Sequence, residues 1–329
     1  MDDANYIKLC PLCHNGQHHA FDERLSFGTP VRYVICDRCG FVFQPVDKLP
    51  KEMDDFYSVD YRLIYQGSEA PTTKDRLIQS ARAAHLIGLL DKQHIASFHR
   101  VMDVGSSAGI FMLKLQERYR CKAVGIEPGS AYRRQAQDQE LLVYPSLEAM
   151  SAVETERFDL ISLVHVLEHL IDPLETLARL RSDWLTPDGW LLLEVPNLYV
   201  HDSLELAHLS AFSRHTLSEM VAQAGYQVVW CGSHGKPRSH LLRLYTTLLA
   251  RPLPTGQKPP ALRPERMVRV QRQAGLAYRR IVEHQLRELP GSSDCPCGGR
   301  WRAVRARPLR GISPGGFGPR VGGARDRPQ

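Results

Sequence analysis

Short apolar runs alternate with amphipathic segments between about residues 99 and 232. The runs "RVMDV", "KAVGI", "LLVY", "FDLISLV", "WLLLEV" and "YQVVWC" predict buried strands, because parallel strands that are covered on both faces are apolar at successive positions. Between them, helical spacing predicts helices near 109–119, from Ser130, after Pro173 and near 214–224. This alternation predicts an α/β fold with a mostly parallel sheet and helices on both of its faces.

The segments before this region have a different pattern. Residues 1–50 hold two CxxC pairs around a polar loop that contains histidines, and the alternation in "RYVICDRCGFVFQP" predicts a hairpin that closes on the second pair. Residues 51–98 are predicted to form a linker and a helix that covers the central region. Thr72 and Asp75 have the spacing of a capping box at the start of that helix.

After residue 232 the pattern weakens. "HLLRLYTTLLA" fits either a last strand or a helix, and residues 264–288 have helical spacing, so we expect a helical extension over residues 233–289. The last segment, residues 290–329, contains nine Gly, six Pro and eight Arg. Such a composition buries too little apolar surface to form a core, and it predicts a disordered Arg/Gly/Pro tail.

Composition favours a globular protein outside membranes. The 329 residues are 43% hydrophobic and 24% charged, and no apolar run is long enough to cross a bilayer. The N-terminal stretch "MDDANYIKLC" is acidic and polar, whereas a secretory signal is basic and then apolar. We therefore expect a cytoplasmic protein that does not bind membranes.

The net charge of +6 is concentrated in one segment. Residues 290–329 hold eight Arg and two Asp, which equals the whole excess, so the remaining residues are balanced. Residues 1–50 carry five basic and six acidic side chains, and they lack the positive charge that phosphate binding requires. These charges argue against nucleic acid as a partner.

Four cysteines have the spacing of a zinc ribbon, C-x2-C-x22-C-x2-C. Four thiolates complete a tetrahedral coordination sphere and leave no position for water, so the pattern predicts a structural zinc. His14, His18 and His19 lie between the two pairs and are alternatives for one ligand. The predicted ligands are Cys10, Cys13, Cys36 and Cys39.

The stretch "VMDVGSSAGIF" follows a predicted strand and begins a helix. Gly105 and Gly109 allow a tight turn whose backbone amides face a ligand at the helix N-terminus. Glu127, at the end of the next strand, places a carboxylate where ribose hydroxyls bind. Positions 107 and 110 are Ser and Ile, so the dinucleotide fingerprint GxGxxG is absent. The combination predicts a cofactor that contains a nucleoside but is not a dinucleotide.

The stretch "HVLEHLIDP" allows two interpretations. As H-x-x-E-H on a helix, it places His165 and His169 on one face beside Glu168, as in an inverted zinc metallopeptidase. As the continuation of "FDLISLV", it is a loop at the carboxyl end of a strand, where open α/β sheets bind ligands. The second interpretation is preferred, because a strand leads directly into His165 and Pro173 disfavours helix at Asp172.

Four motifs share the order and spacing of those in class I S-adenosylmethionine-dependent methyltransferases, and over about residues 99–231 the chain resembles that family. The motifs are "DVGSSAG", "GIEP", "FDLISLVHVLEHLIDPLETL" and "LTPDGWLLLEVPN". The resemblance implies a Rossmann-like sheet and S-adenosylmethionine as the cofactor.

The resemblance also implies which residues hold the cofactor. Asp103 and the loop up to Gly109 correspond to the methionine end, Glu127 to the ribose, and Leu147 to the surroundings of the adenine. The family usually has glycine where this chain has Ser107. The implied cofactor residues are Asp103, Gly105, Ser106, Gly109, Glu127 and Leu147.

With the cysteine segment in front and "AHLSAFSRHTL" behind, the chain resembles bacterial methyltransferases of sugars and related small molecules. A small-molecule hydroxyl or carbon nucleophile must lose a proton, and a histidine accepts protons near neutral pH. His165, His169 and His208 follow predicted strands and are the candidate bases. Two alternatives stay open: an RNA methyltransferase whose zinc ribbon holds the nucleic acid, and a non-catalytic scaffold that binds zinc and cofactor.

Overall fold

The computed structural model describes residues 9–26, 28–45 and 72–288. Most of the predicted linker and the whole of the predicted tail 290–329 lie outside the described residues. The strands are β1 (His18–Ser26), β2 (Thr29–Cys36), β3 (Val42–Phe43), β4 (Arg100–Val104), β5 (Lys122–Ile126), β6 (Leu142–Tyr144), β7 (Phe158–Val164), β8 (Leu185–Pro196), β9 (Ser210–Ala211), β10 (Tyr226–His234) and β11 (Tyr245–Pro252).

Helices connect most of these strands. They are α1 (Thr73–Lys92), α2 (Ile110–Tyr119), α3 (Ser130–Gln137), α4 (Leu147–Ser151), α5 (Pro173–Arg179), α6 (Arg214–Gln223) and α7 (Val268–Glu288), with a 3-10 turn at Leu167–His169 and a π-helical turn at Leu180–Trp184. Across the described part of the chain, no helix combines the length and the apolar composition needed to cross a membrane.

A seven-stranded sheet forms the centre of the molecule, in the order β10-β11-β8-β7-β4-β5-β6. Strands β8, β7, β4, β5 and β6 pair in parallel, whereas β11 pairs antiparallel with both β8 and β10. The predicted α/β class and the mostly parallel Rossmann-like sheet are therefore confirmed. The parallel strands all end at one edge, which is where ligands bind in open sheets of this kind.

Strand β11 resolves the ambiguity of "HLLRLYTTLLA". Its residues from Tyr245 to Ala250 are all buried, and Thr246 and Thr247 are β-branched, which suits a strand that has neighbours on both sides. The central sheet therefore continues past residue 232. Within the expected helical extension over 233–289, the helix is α7.

A second sheet joins the cysteine segment to the rest of the molecule, in the order β1-β2-β3-β9. The hairpin at the second CxxC pair forms as predicted, from β2 and β3. The sequence prediction of a polar loop was wrong for residues 18–26, which form β1. This strand has one neighbour in the sheet and most of its side chains are only partly buried, so it carries polar residues without a penalty.

Apolar packing also connects the two sheets. Cys10 and Phe41 belong to the same buried cluster as Phe212 and the sheet residues Leu163 and Leu193. Burial of side chains of this size contributes about 1.5–3 kcal/mol each. The cysteine segment thus packs on the region that follows β8.

Helix α1 begins at the predicted capping box. Thr72 Oγ1 accepts a hydrogen bond from the Asp75 amide at 3.2 Å, and Asp75 Oδ2 accepts one from the Thr72 amide at 3.0 Å. This reciprocal cap satisfies two amides that the first turn leaves unpaired. The helix packs Leu86 and Leu90 into the core beside the central sheet and carries Arg82 to its carboxyl edge.

Candidate functional site

A cleft of about 2040 Å³ lies at the carboxyl edge of the central sheet, and we refer to it as the central cleft. Its walls are the loops after β4, β5, β7 and β8, the helix α1, and the residues before β11. Eight of the predicted site residues line it: Asp103, Gly105, Ser106, Glu127, Leu147, His165, His169 and His208. Among the predicted cofactor residues, Gly109 is outside this lining.

The glycine loop after β4 is tied to the end of β5. Gly105 has a φ of 76°, and its amide donates to the Ile126 carbonyl at 2.8 Å. Ser107 has a φ of 52°, its amide donates to Glu127 Oε2 at 2.9 Å, and its Oγ accepts from Gln79 Nε2 at 3.1 Å. Ser107 therefore adopts the left-handed conformation that glycine adopts without strain.

Glu127 holds two parts of the cleft wall together. Besides the Ser107 amide, it accepts a hydrogen bond from the Gly129 amide at its Oε1, at 2.8 Å. The side chain is 3% exposed, yet it lines the cleft. A carboxylate that is fixed by two backbone amides has a defined direction, and this one is placed to accept hydrogen bonds from a ligand's hydroxyl groups.

Asp103 lies at the end of β4 and is buried. Ser162 Oγ donates to Asp103 Oδ1 at 2.6 Å. Burial raises the pKa of Asp103 to about 7, against the effect of the Ser162 hydrogen bond, and the nearby charge of Glu127 raises it further. A cationic group bound beside Asp103 would therefore favour the ionised carboxylate, whose negative charge would in turn stabilise the cation.

Gly109 acts below the cleft. It has a φ of 77° at the N-cap of α2, and a Cβ at this position would lie 2.2 Å from Leu141 Cδ1. The positive φ and this close approach to Leu141 both favour glycine at this position. Leu147 lies on the cleft wall at the start of α4, which Ser146 caps by accepting from the Ala149 amide.

His165 follows β7 directly and has a φ of 58°. Its ring is placed between two carboxylates: Nδ1 is 3.3 Å from Glu168 Oε1, and Nε2 is 3.3 Å from Glu194 Oε1. The backbone amide of His165 donates to the Glu194 carbonyl at 2.8 Å. Both nitrogens of this histidine therefore face carboxylates within the protein.

Glu194, on β8, is the centre of a buried ionic network that the sequence analysis missed. Its carboxylate is 2.8 Å from Arg82 Nε and 3.2 Å from His234 Nε2, and it accepts a hydrogen bond from Thr247 Oγ1 at 3.0 Å. Burial disfavours its charge, but Arg82 and the histidines hold the pKa of Glu194 well below its usual range. The signal in the sequence was a single acidic residue inside the apolar run "WLLLEV".

The other two predicted histidines lie together. The rings of His169 and His208 are 4.7 Å apart between centroids in an edge-to-face arrangement. His169 Nδ1 donates to the Ala207 carbonyl at 2.9 Å, and His208 Nδ1 donates to the Ser203 carbonyl at 2.7 Å. Burial, followed by the charge of His208, lowers the pKa of His169 to about 4, so its ring is neutral near pH 7.

Glu168 lies between these histidines and His165. Burial opposes its ionisation, but the hydrogen bond from His165 and the charges of the histidines lower the pKa of Glu168 to about 2. The segment around it is the short 3-10 turn Leu167–His169, and His165 lies outside that turn. The continuous helix that a metallopeptidase motif requires is therefore not formed, which agrees with the loop interpretation.

Further polar residues line the same part of the cleft without any local sequence signal. They come from segments far apart in the chain, so their proximity depends on the fold. They are Arg82, His201, Asp202, Glu205, Arg238, Tyr245 and Arg279.

The four predicted zinc ligands lie together, away from the cleft lining. Cys10 Sγ is 3.5 Å from Cys39 Sγ, Cys13 Sγ is 3.5 Å from Cys36 Sγ, and the four sulfurs all lie within 4.8 Å of one another. Zn–S bonds of about 2.3 Å in a tetrahedron separate sulfurs by about 3.8 Å. The cluster therefore fits a zinc ion. Nearby, His19 Nδ1 pairs with Asp37 Oδ1 at 2.6 Å.

One protein-family model matches part of the chain. Residues 73–230 match the protein family described as "Methyltransferase domain". No relative was found among curated proteins.

Many solved structures are similar to the chain. An S-adenosylmethionine-dependent methyltransferase from Clostridium acetobutylicum is 8% identical, with 61% of this chain and 99% of that chain covered and a TM-score of 0.44. Magnesium protoporphyrin IX methyltransferase from Synechocystis with bound S-adenosylmethionine is 15% identical, with 63% and 98% covered and a TM-score of 0.44. Burkholderia thailandensis 1,6-didemethyltoxoflavin-N1-methyltransferase, with bound 1,6-didemethyltoxoflavin and S-adenosylhomocysteine, is 18% identical, with 65% and 96% covered and a TM-score of 0.48.

Proposed function

We propose that the protein is an enzyme that transfers methyl from S-adenosylmethionine to a small-molecule acceptor, a sugar or nucleotide sugar, as the match of residues 73–230 to a family described as "Methyltransferase domain" supports. One observation carries the proposal. The glycine loop, Asp103 and Glu127 lie in the same cleft as the polar group that contains His165, His169 and His208. In this proposal the donor site and the site for proton transfer share one cleft.

The residues at the donor end fit the proposed cofactor. Glu127 accepts hydrogen bonds from the ribose hydroxyls, Asp103 and the loop at Gly105 and Ser106 contact the cationic methionine end, and Leu147 contacts the adenine. When bound, the cofactor supplies a methyl group that its sulfonium already activates, so the protein contributes mainly alignment and proton removal. Burial raises the pKa of Asp103 to about 7, and a cation bound beside this carboxyl would favour its ionised form.

The acceptor end suits a polar molecule that carries phosphate. Arg238 and Arg279 line the cleft near Tyr245 and His201, and Arg279 also pairs with Glu283 at 2.8 Å. Arginine side chains bind phosphate oxygens well, because the planar guanidinium donates two parallel hydrogen bonds. This supports a nucleotide sugar over an uncharged alcohol.

A histidine of the cleft removes the acceptor's proton in this proposal. His165, His169 and His208 are the candidates, as in the sequence analysis. His165 is placed between Glu168 and Glu194, which orient its ring. His169 and His208 are held by backbone carbonyls.

We also propose a structural zinc at Cys10, Cys13, Cys36 and Cys39. The four thiols converge on one point, and four sulfur ligands leave no coordination position for a substrate. The metal would fix the turn between β2 and β3, and β3 pairs with β9 next to the cleft. The zinc is thus proposed to support the cleft wall indirectly.

Formation of S-adenosylhomocysteine with a panel of nucleotide sugars tests the proposed reaction. We expect turnover with at least one nucleotide sugar, and a loss of about 10²–10⁴-fold in kcat when the catalytic histidine is replaced by Gln. Glu148→Gln is the matched control, because Glu148 is exposed at the donor end of the cleft. Turnover on RNA that weakens steeply with salt, and none on sugars, would overturn the acceptor assignment in favour of the RNA alternative.

A further inference from the structure

The loop after β7 and the loop after β8 bring together three side chains with metal-ligating atoms. Glu168, His169 and His208 offer one ligand atom each, and these atoms lie within 4.8 Å of one another. Glu168 and His169 are adjacent in sequence, whereas His208 comes from a separate segment. The arrangement therefore depends on the fold. It includes Glu168 and His169 of the H-x-x-E-H pattern but not His165, the first histidine of that pattern.

The two histidines are oriented as metal ligands are. A carbonyl oxygen only accepts hydrogen bonds, so the bonds to Ala207 and Ser203 place a proton on Nδ1 of both rings. The neutral rings then carry their lone pairs on Nε2. A second ring nitrogen that donates to a backbone carbonyl is the usual partner arrangement for a metal-binding histidine, because it fixes both the tautomer and the ring direction.

Glu168 supplies the negative charge. It is 1% exposed, and neither of its oxygens makes a well-directed hydrogen bond to any described residue. Its ion-pair contact is His165 Nδ1 at 3.3 Å. The histidines offset part of the desolvation cost of this carboxylate, but without a well-directed hydrogen bond its oxygens keep lone pairs that a metal ion can bind. A cation at this position would compensate for that cost.

Glu205 strengthens the case. Its Oε1 is 3.1 Å from His208 Nε2, the nitrogen that carries a lone pair when Nδ1 donates to Ser203. When the carboxylate is charged and the ring neutral, two groups that accept hydrogen bonds face each other, and a cation beside them would make this arrangement favourable. Glu205 also lines the central cleft.

We infer that Glu168, His169 and His208 form a binding site for a divalent first-row transition metal in the central cleft, with Glu205 as a further carboxylate beside it. Two imidazoles and one carboxylate select zinc, manganese or iron(II) over calcium, which prefers oxygen ligands alone. Three protein ligands leave open coordination positions. The three ligands line the cleft, so the open positions would hold an acceptor oxygen. This role rests on the proposed function, whereas the binding of a metal does not depend on it.

Cobalt(II) titration of the full-length protein after metal removal tests the inference, because cobalt reports its ligands by absorption. We expect two equivalents to bind. One gives the intense thiolate charge-transfer bands of the cysteine cluster, and the other gives only weak visible bands from nitrogen and oxygen ligands. Glu168→Gln and His208→Gln should weaken the second equivalent by about 10–100-fold or abolish it, and leave the thiolate bands intact. His99→Gln, at an exposed histidine outside the cleft lining, is the matched control.

Retained thiolate bands together with an unchanged circular-dichroism melting curve show that the variants fold, so loss of the second equivalent is not explained by unfolding. A single equivalent with thiolate bands alone would overturn the inference. Variants that bind two equivalents as tightly as the wild type would also overturn it. Since no cofactor or acceptor is present in this titration, its result is independent of whether methyl transfer is detected.

Discussion

The two clusters of metal-ligating side chains in the described residues have opposite surroundings. The cysteine cluster has four sulfur ligands beside the short sheet that joins the N-terminal segment to β9, away from the cleft lining. The cluster of Glu168, His169 and His208 has three mixed ligands on the wall of a cleft of about 2040 Å³. One cluster is saturated by the protein, and the other is not.

This difference separates stability from chemistry. A site whose four ligands all come from the protein contributes folding energy and binds no substrate. A site with fewer protein ligands on a cleft wall keeps open coordination positions for a reacting molecule. Its buried charged side chains are fully compensated only when a metal ion or ligand is bound. We therefore expect changes at the cysteine cluster to affect folding, and changes in the cleft to affect ligand binding and turnover.

The largest effect is expected from the double variant Cys10→Ser, Cys13→Ser. Loss of two thiolate ligands removes the zinc, so the free energy of unfolding should fall by more than about 4 kcal/mol. Zinc analysis and urea unfolding measure this change. The control is Cys121→Ser, a buried cysteine outside the cluster, which should cost about 1 kcal/mol. Equal losses in the two proteins would contradict a structural zinc.

Glu194→Gln should have the next largest effect. It leaves Arg82, His165 and His234 without the carboxylate that compensates them, and breaking a buried ionic pair costs about 3–5 kcal/mol. Urea unfolding measures it, with Glu148→Gln as the exposed control. A change equal to that of the control would show that the network is not needed for folding.

The pH dependence of cofactor binding tests the role of Asp103 in the cleft. Asp103 has its pKa raised to about 7, so its carboxylate form is lost as the pH falls below that value. If this carboxylate binds the cationic methionine end, the affinity for S-adenosylmethionine should be about tenfold weaker at pH 6 than at pH 8. Calorimetry at both pH values measures the ratio. Asp103→Asn should bind weakly at both, and a pH dependence that persists in this variant would assign the titration to another group.

The smallest effect is expected for Ser107→Gly. Glycine removes the strain of a φ of 52° but also removes the acceptor for Gln79 Nε2, and each of these contributions is about 1 kcal/mol. The free energy of unfolding should therefore change by less than about 1 kcal/mol. Thermal unfolding measures it, and a loss much larger than this would show that the serine side chain has a further role.

Local sequence patterns predicted the strands of the central sheet and the cysteine cluster. Apolar runs such as "FDLISLV" identified buried parallel strands, and the paired CxxC motifs identified cysteines that lie together. Glu127 was predictable because it follows the strand beside β4, whereas Asp103 was identified through the resemblance to methyltransferases. Strand β1 was missed, because an edge strand needs no apolar pattern.

The acceptor end of the cleft was only partly predictable. The contact between His169 and His208 depends on how the loops after β7 and β8 fold, and the approach of Arg82 to Glu194 depends on how α1 packs across the sheet. Contacts between distant segments leave no periodic or spacing pattern in the sequence. The three histidines were identified by their position after strands, but their partners required the structure.

Binding of S-adenosylmethionine to the purified protein, measured by titration calorimetry together with zinc content, tests the central claim most directly. The proposed function predicts one cofactor molecule per chain, weakened by at least about tenfold in Glu127→Gln, which keeps the size of the side chain but not its charge. The absence of S-adenosylmethionine binding in a protein that retains one zinc per chain would contradict the claim and favour a non-catalytic scaffold.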